Sequence, residues 1–163
     1  MNNLSKYFDL ENLRKMDEYE KAKVIVYKLF SDITDKGGDP YINHLYYVSN
    51  NLDTKLEKIV GLLHDIVEDT EITFDDLKEI GFCNEVINSL KIITKNEGEL
   101  YSNFIDRIIS SNDLVALNVK IKDMENNMDL KRLSKLNYED KKRLENKYKP
   151  EYKKLIKRRE EIK

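Results

Sequence analysis

The segment from Gly61 to Thr70 reads GLLHDIVEDT, placing one imidazole and three carboxylates in an otherwise apolar run. On a helix, residues four apart share a face, so His64 stacks above Glu68 and Asp65 above Asp69. Leu62, Leu63, Ile66 and Val67 mark the surrounding surface as buried. Carboxylates there need a counter-charge, because burying an unpaired one costs several kcal/mol or more. No Lys or Arg lies between Val60 and Glu71, and a divalent metal is the economical answer. The second of only two histidines, His44, sits in DPYINHLYYV, again among apolar residues. Two imidazoles on apolar helices, one beside an aspartate, point to metal ligation. A further oxygen ligand is available in NVKIKDMENNMDL, where Asp123, Glu125 and Asp129 are candidates. Asp123 is the most central of these, and an ordinary ion pair with Lys120 or Lys122 is its other reading.

Such a set suits phosphoryl chemistry. A divalent ion with nitrogen and oxygen ligands acidifies water and polarises a phosphoryl oxygen. Mixed His and carboxylate ligation is compatible with Mn2+, other divalent metals also being possible. Glu68, one turn from His64, is placed to act as general base, and Lys120 to neutralise charge on a phosphate leaving group.

The elements that must position these groups read as helices. Only five glycines and two prolines punctuate the chain, and apolar residues recur at helical spacing. The first two helices are expected over Leu4 to Arg14 and Glu18 to Ile33, the second with Ala22, Val26, Leu29 and Phe30 on one face. A loop from Thr34 to Pro40 carries the Gly-Gly pair. Helices follow over Tyr41 to Leu52 and Thr54 to Asp69, the latter capped by Thr54 or Asp53. Thr73 to Ile80 has a capping-box pattern with Asp76, and Gly81 as its stop. Asn84 to Thr94, Leu100 to Ser110 and Asp113 to Asp129 complete the body. Tyr138 to Ile162 forms one or two basic amphipathic helices, kinked or divided by Pro150. The expectation is an all-α, single-domain fold of about eight helices.

At 163 residues one domain can bury a real core. No uncharged apolar run is long enough to span a membrane, and MNNLSKYFDLENLRK lacks the pattern of a secretory signal. A single cysteine, Cys83, cannot form an internal disulfide, which fits a reducing cytoplasm; its default reading is a small buried filler. Net charge is -2 but uneven: from Leu130 to Lys163, 14 Lys/Arg stand against 6 Asp/Glu, a local +8, with -10 elsewhere. The basic tail reads first as a solvated helix face. It carries no nucleic-acid motif and acids interrupt it, so a nucleic acid is not the expected partner, and no oligomeric state is read from it.

A histidine after Pro-Tyr-Ile, then His-Asp-x-x-Glu-Asp, then Lys-x-x-Asp-x-x-x-Asn-Met resembles the HD-domain metal phosphohydrolases. Within them the chain is most similar to the stand-alone hydrolase domains of the Rel/SpoT family. The matching segments are GGDPYINHLYYV, GLLHDIVEDTEIT, ITKNEGELYSNFIDRI and NVKIKDMENNMDL, over roughly Lys36 to Leu130. The resemblance gives a motif core over 36–130 of a 1–163 domain, with 131–163 as its basic tail. It implies removal of the 3'-pyrophosphate from ppGpp and pppGpp, usually with Mn2+, by a small-molecule nucleotide hydrolase. It implies that His44, His64, Asp65 and Asp123 ligate the metal, and that Glu68 and Asp69 position and deprotonate the attacking water. Lys120 and Asn127 match residues that hold phosphate or ribose, and Lys36 a basic residue of the loop covering the guanine. Asp35, Met124 and Asn126 depart from the Arg, Arg and His of the long enzymes. Hydrolysis is therefore better supported than ppGpp as the substrate. The rival readings are an HD-type hydrolase of a nucleotide monophosphate, nucleoside triphosphate or cyclic nucleotide, and a non-catalytic metal- or nucleotide-binding module.

Overall fold

The computed structural model describes residues 3–162, and the outermost residues of the expected 1–163 domain lie outside the described residues. A 3-10 turn, Asn3–Lys6, precedes α1 (Leu10–Lys15) and α2 (Glu18–Phe30). The single helix expected from Leu4 to Arg14 is thus divided. Asp9 caps α1 by accepting the Asn12 N–H, an extended-backbone role that interrupts the helix before it. After α2 the chain closes a loop, with the Tyr41 N–H donating to the Ile33 carbonyl at 2.8 Å, so α2 stops before Ile33. Gly38, at a φ of +88°, makes the left-handed turn within that loop.

Next come α3 (Ile42–Asn50), α4 (Lys55–Leu63) and α5 (Ile66–Asp69). Thr54 and Glu57 form a capping box at the start of α4. Gly61 lies where α3 crosses α4: a Cβ there would stand 2.9 Å from Leu52 Cδ1 and 3.2 Å from Ser49 Cα. Glycine therefore sets how closely these helices approach. The continuous helix expected from Thr54 to Asp69 is broken at His64–Asp65. The His64 ring N–H turns back onto the Gly61 carbonyl at 2.7 Å, competing for a backbone acceptor of the preceding turn.

The remainder is α6 (Phe74–Ile80), α7 (Asn84–Ile93), α8 (Tyr101–Ser110), α9 (Leu114–Asn127), α10 (Leu130–Leu133) and α11 (Tyr138–Ile162). The Thr73–Asp76 capping box and the left-handed Gly81 stop of α6 are as expected. Cys83 is not a buried filler: it is half-buried at the N-cap of α7, its N–H donating to Glu18. The tail is one helix. Pro150 removes one backbone donor, but Tyr148, Tyr152, Leu155 and Ile156 continue the same apolar stripe across it. Among the described residues there is no strand; an isolated bridge joins Thr34 to Pro40. No helix among them is long and apolar enough to cross a membrane.

The architecture is all-α. α4 packs against α2, α3, α7 and α9, and its Ile59, Val60, Leu62 and Leu63 are buried. α9 is surrounded by α3, α4, α7, α8, α10 and α11. Lys120, Asp123 and Asn126, at successive i+3 steps on α9, are consequently buried polar groups rather than surface ones.

Candidate metal centre and nucleotide cleft

α3, the α4–α5 break and α9 bring the predicted ligands together. His44 Nε2 lies 2.9 Å from Asp123 Oδ1 and 4.0 Å from Asp65 Oδ2. His64 Nε2 lies 3.1 Å from Asp65 Oδ2 and 3.3 Å from Asp123 Oδ1. The two rings meet edge to face with centroids 5.4 Å apart. His44, His64 and Asp65 each offer a ligand atom within 4.8 Å of the others. The tautomers follow from the far side of each ring. His64 Nδ1 faces the Gly61 carbonyl, and His44 Nδ1 faces Asn126 Oδ1 at 2.7 Å. Both Nδ1 atoms therefore donate, which leaves both Nε2 atoms facing the carboxylates. At these distances a ring nitrogen and a carboxylate oxygen need a proton or a metal cation between them.

Protonation shows the same demand. Burial opposes a charged His64, but Asp65 and Asp123 outweigh it and hold its imidazolium well above the ordinary histidine range. Burial pushes the Asp123 carboxyl up, yet Lys120 and the two imidazoles hold it well below its usual range. Asp65 is lowered likewise, with His64 overcoming burial. Two nitrogens and two carboxylates converging in a buried site fit a divalent cation.

Asp123 also has the ion pair that was its other reading. Lys120 Nζ lies 2.6 Å from Asp123 Oδ2, beside the rings of Tyr101 and Phe104. Asn127 Nδ2 donates to Asp123 Oδ1 at 3.1 Å. Tyr41, at the start of α3, donates its hydroxyl to Asp65 Oδ2; burial and Asp65 raise its pKa, keeping the phenol neutral.

Glu68 and Asp69 depart from the expected buried stack. The break at His64–Asp65 leaves α5 as a single turn that carries both outward, where they are exposed. Glu68 is anchored on the backbone just after α7 rather than on His64: its Oε1 accepts the Lys95 N–H at 2.6 Å. Although solvent reaches both, the walls exclude enough water to raise Glu68 against that hydrogen bond. Burial, then Asp65 and Glu68, push Asp69 up to about 6 from an ordinary 3.8. Between about pH 4 and 6 the native metal-free protein thus holds a proton on Asp69 that the unfolded chain has released. The resulting stability is full below about pH 4 and lost as pH rises through about 6. Asp69→Asn should therefore be more stable than wild type at neutral pH in EDTA, with the gap closing toward pH 4. Urea melts across that range check this, and a gap independent of pH contradicts it.

A cleft of about 560 Å³ adjoins the cluster, lined by Tyr41, Asp69 and Asn127 on the metal side. Lys36, Asp35 and Gly37 of the 34–40 loop form its lip, and Lys147 and Tyr148 of α11 its far wall. Lys120 sits behind Asp123 and not on the lining. Met124 is in the core, and of the three departures from the family Asp35 alone lines this cleft. Sequence reading missed Tyr41, Arg132, Lys147 and Tyr148. Lys147 Nζ lies 4.5 Å from the Tyr101 ring centroid; burial, with Lys120, Lys95 and Arg143 nearby, lowers its pKa. The basic tail was the visible signal, but only the packing of α11 tells which of its cations faces inward.

No family model matches the chain. In an alignment of 129 positions that covers 69% of this chain, it is 32% identical to a GTP pyrophosphokinase of Myxococcus xanthus, and it spans 17% of that protein. Among solved structures it is similar to a protein described as a metazoan ortholog of SpoT that hydrolyses ppGpp and plays a role in starvation responses. That likeness has a TM-score of 0.63 at 18% identity and covers 90% of this chain and 94% of the other. The all-α fold is shared with that SpoT ortholog. The chain is thus similar in fold to that SpoT ortholog and, over the matched region, similar in sequence to the GTP pyrophosphokinase.

Proposed function

We propose that the chain is an HD-type metal-dependent hydrolase that removes the 3'-pyrophosphate of ppGpp, pppGpp or a related nucleotide. The convergence of the His44 and His64 Nε2 atoms on Asp65 and Asp123, beside a cleft that Lys36, Arg132 and Lys147 line together with Asp35, Asp39 and Asp69, carries this reading. His44, His64, Asp65 and Asp123 would hold the ion, with Mn2+ the proposed occupant. When bound, such an ion acidifies water and stabilises phosphoryl charge. Glu68 takes the proton of the attacking water, its carboxylate fixed by the Lys95 N–H, and Asp69 orients that water. Water oxygen bonds to phosphorus, the bond to the ribose 3'-oxygen breaks, and that oxygen leaves as a hydroxyl by taking up the proton that Glu68 removed from the water. Lys36, Asn127 and Lys120 hold the nucleotide, Lys120 through its field beside Asp123. The working unit is a single domain over residues 1–163, with the site within 36–130, acting in the cytoplasm.

Asp35 supports keeping another nucleotide as the second reading, since a carboxylate stands at the cleft lip where the long enzymes place an arginine. The test is incubation of the full chain with Mn2+ and, separately, ppGpp, pppGpp, GTP and NADPH, with product identification. Intact pyrophosphate from ppGpp and pppGpp is the expected result. Orthophosphate alone, or turnover confined to the other nucleotides, moves the assignment to the second reading; no turnover on any of them overturns hydrolysis.

A further inference from the structure

We infer that Arg132 is a positioning residue that keeps His44 competent to bind the ion, acting through the side-chain amide of Asn126. The inference rests on the proposed metal site. α10 is capped by Asp129, which accepts the Lys131 N–H at 2.8 Å, and sets the Arg132 guanidinium between α9, α3 and the 34–40 loop. Arg132 Nη1 donates to Asn126 Oδ1 at 2.8 Å and to Asn127 Oδ1 at 3.0 Å. Arg132 Nη2 donates to Asp35 Oδ2 at 3.2 Å. Three separate elements thereby share one cation, and Asp35 and Asn126 are two of the positions where the chain departs from the Rel/SpoT pattern.

The consequence lies in the amide. Its oxygen and nitrogen ends are nearly the same size, so a buried Asn is oriented by its partners alone. Asn126 Oδ1 faces two groups, the guanidinium and His44 Nδ1 at 2.7 Å. Arg132 can only donate, which fixes the oxygen toward both. His44 Nδ1 must then carry the hydrogen, and Nε2 keeps the lone pair aimed at Asp123 and Asp65. Arg132 Nη1 also lies 3.1 Å from His44 Nδ1, but Asn126 Oδ1 is closer to both and satisfies both donors. With Arg132 gone, the amide is free to turn its NH2 toward His44. Nδ1 would then accept, the hydrogen would move to Nε2, and the ligand lone pair would be lost. Outer-shell partners of metal-binding histidines fix tautomers in this way, and losing one typically costs 10–100-fold in metal affinity.

The test is Mn2+ titration of the metal-stripped full chain, following free Mn2+ by electron paramagnetic resonance. Arg132→Met is expected to weaken Mn2+ binding about 10–100-fold. Simple charge arithmetic predicts the opposite, because removing a nearby cation should tighten it. Arg132→Lys, which reaches either the amides or Asp35, should fall between. Asn126→Asp cannot present a donor, so its gain in affinity should be larger in the Arg132→Met background than in the wild-type one. Melting in EDTA checks folding, and Arg132→Lys carries the comparison if Arg132→Met does not fold. Mn2+ binding by Arg132→Met, or by Arg132→Lys in that case, as tight as in wild type overturns the inference. His64→Ala separates the two proposals: if it binds Mn2+ like wild type, the metal site itself is misplaced.

Discussion

Glu68→Gln is expected to slow hydrolysis of ppGpp by about 10²–10⁴-fold while leaving Mn2+ affinity close to wild type. Gln is isosteric and retains an oxygen for the Lys95 N–H, so the turn at α5 keeps its anchor. What it loses is basicity. Glu68 lies outside the converging ligand set of His44, His64 and Asp65, so the ion has no reason to leave. Burial raises the carboxyl above its ordinary value, making it a stronger proton acceptor than a solvated Glu. The check is kcat on ppGpp together with Mn2+ titration of the same preparation. A variant losing both metal and turnover would make Glu68 a ligand, and one losing neither would remove it from the chemistry. A non-catalytic binding module predicts no turnover in wild type and nucleotide affinity that the substitution barely moves.

The second large effect concerns stability. Lys120→Met should destabilise the metal-free chain by about 3–5 kcal/mol, the usual result of removing one partner from a buried ion pair. Lys120 is 8% exposed and Asp123 is 4% exposed, so water can replace little of the lost ammonium. Adding Mn2+ should recover a large part of the deficit, because a cation binding only the native state stabilises it by mass action and compensates the same carboxylate. Urea melts of both chains in EDTA and in excess Mn2+ measure this. Equal deficits in the two conditions would mean that Asp123 and the ion do not communicate. Turnover by Mn2+-loaded Lys120→Met then separates the two roles of Lys120. Preserved kcat with raised KM marks a contact to bound phosphate, a fall in kcat marks stabilisation of the leaving group, and no change in either marks a structural cation.

The all-α class, the capping box at Thr73 and the gathering of His44, His64, Asp65 and Asp123 were legible because each is written locally, in spacing or in residue type. The interruption at His64–Asp65 was not. Nothing in GLLHDIVEDT breaks a helix by propensity, and the cause is a ring N–H that turns back onto the Gly61 carbonyl. Glu68 and Asp69 consequently read as buried acids but stand exposed. Arg132 was invisible for a different reason: its carboxylate partner Asp35 is 97 residues away, and no local pattern encodes such a contact. Tyr41 left a fainter trace. It stands three residues before His44 at a helix start, a spacing that puts both side chains on one face, but its bond to Asp65 depends on how α3 meets α5.

The far wall of the cleft belongs to α11, whereas every proposed ion ligand lies before it on α3, at the α4–α5 break and on α9. On the proposed assignment, one wall that meets the substrate is therefore carried by a stretch of chain separate from the ion ligands. Exchanges at Lys147 or Tyr148 should retune which molecule is admitted while the proposed ligands stay untouched, so new substrates are within reach of drift on one face of α11.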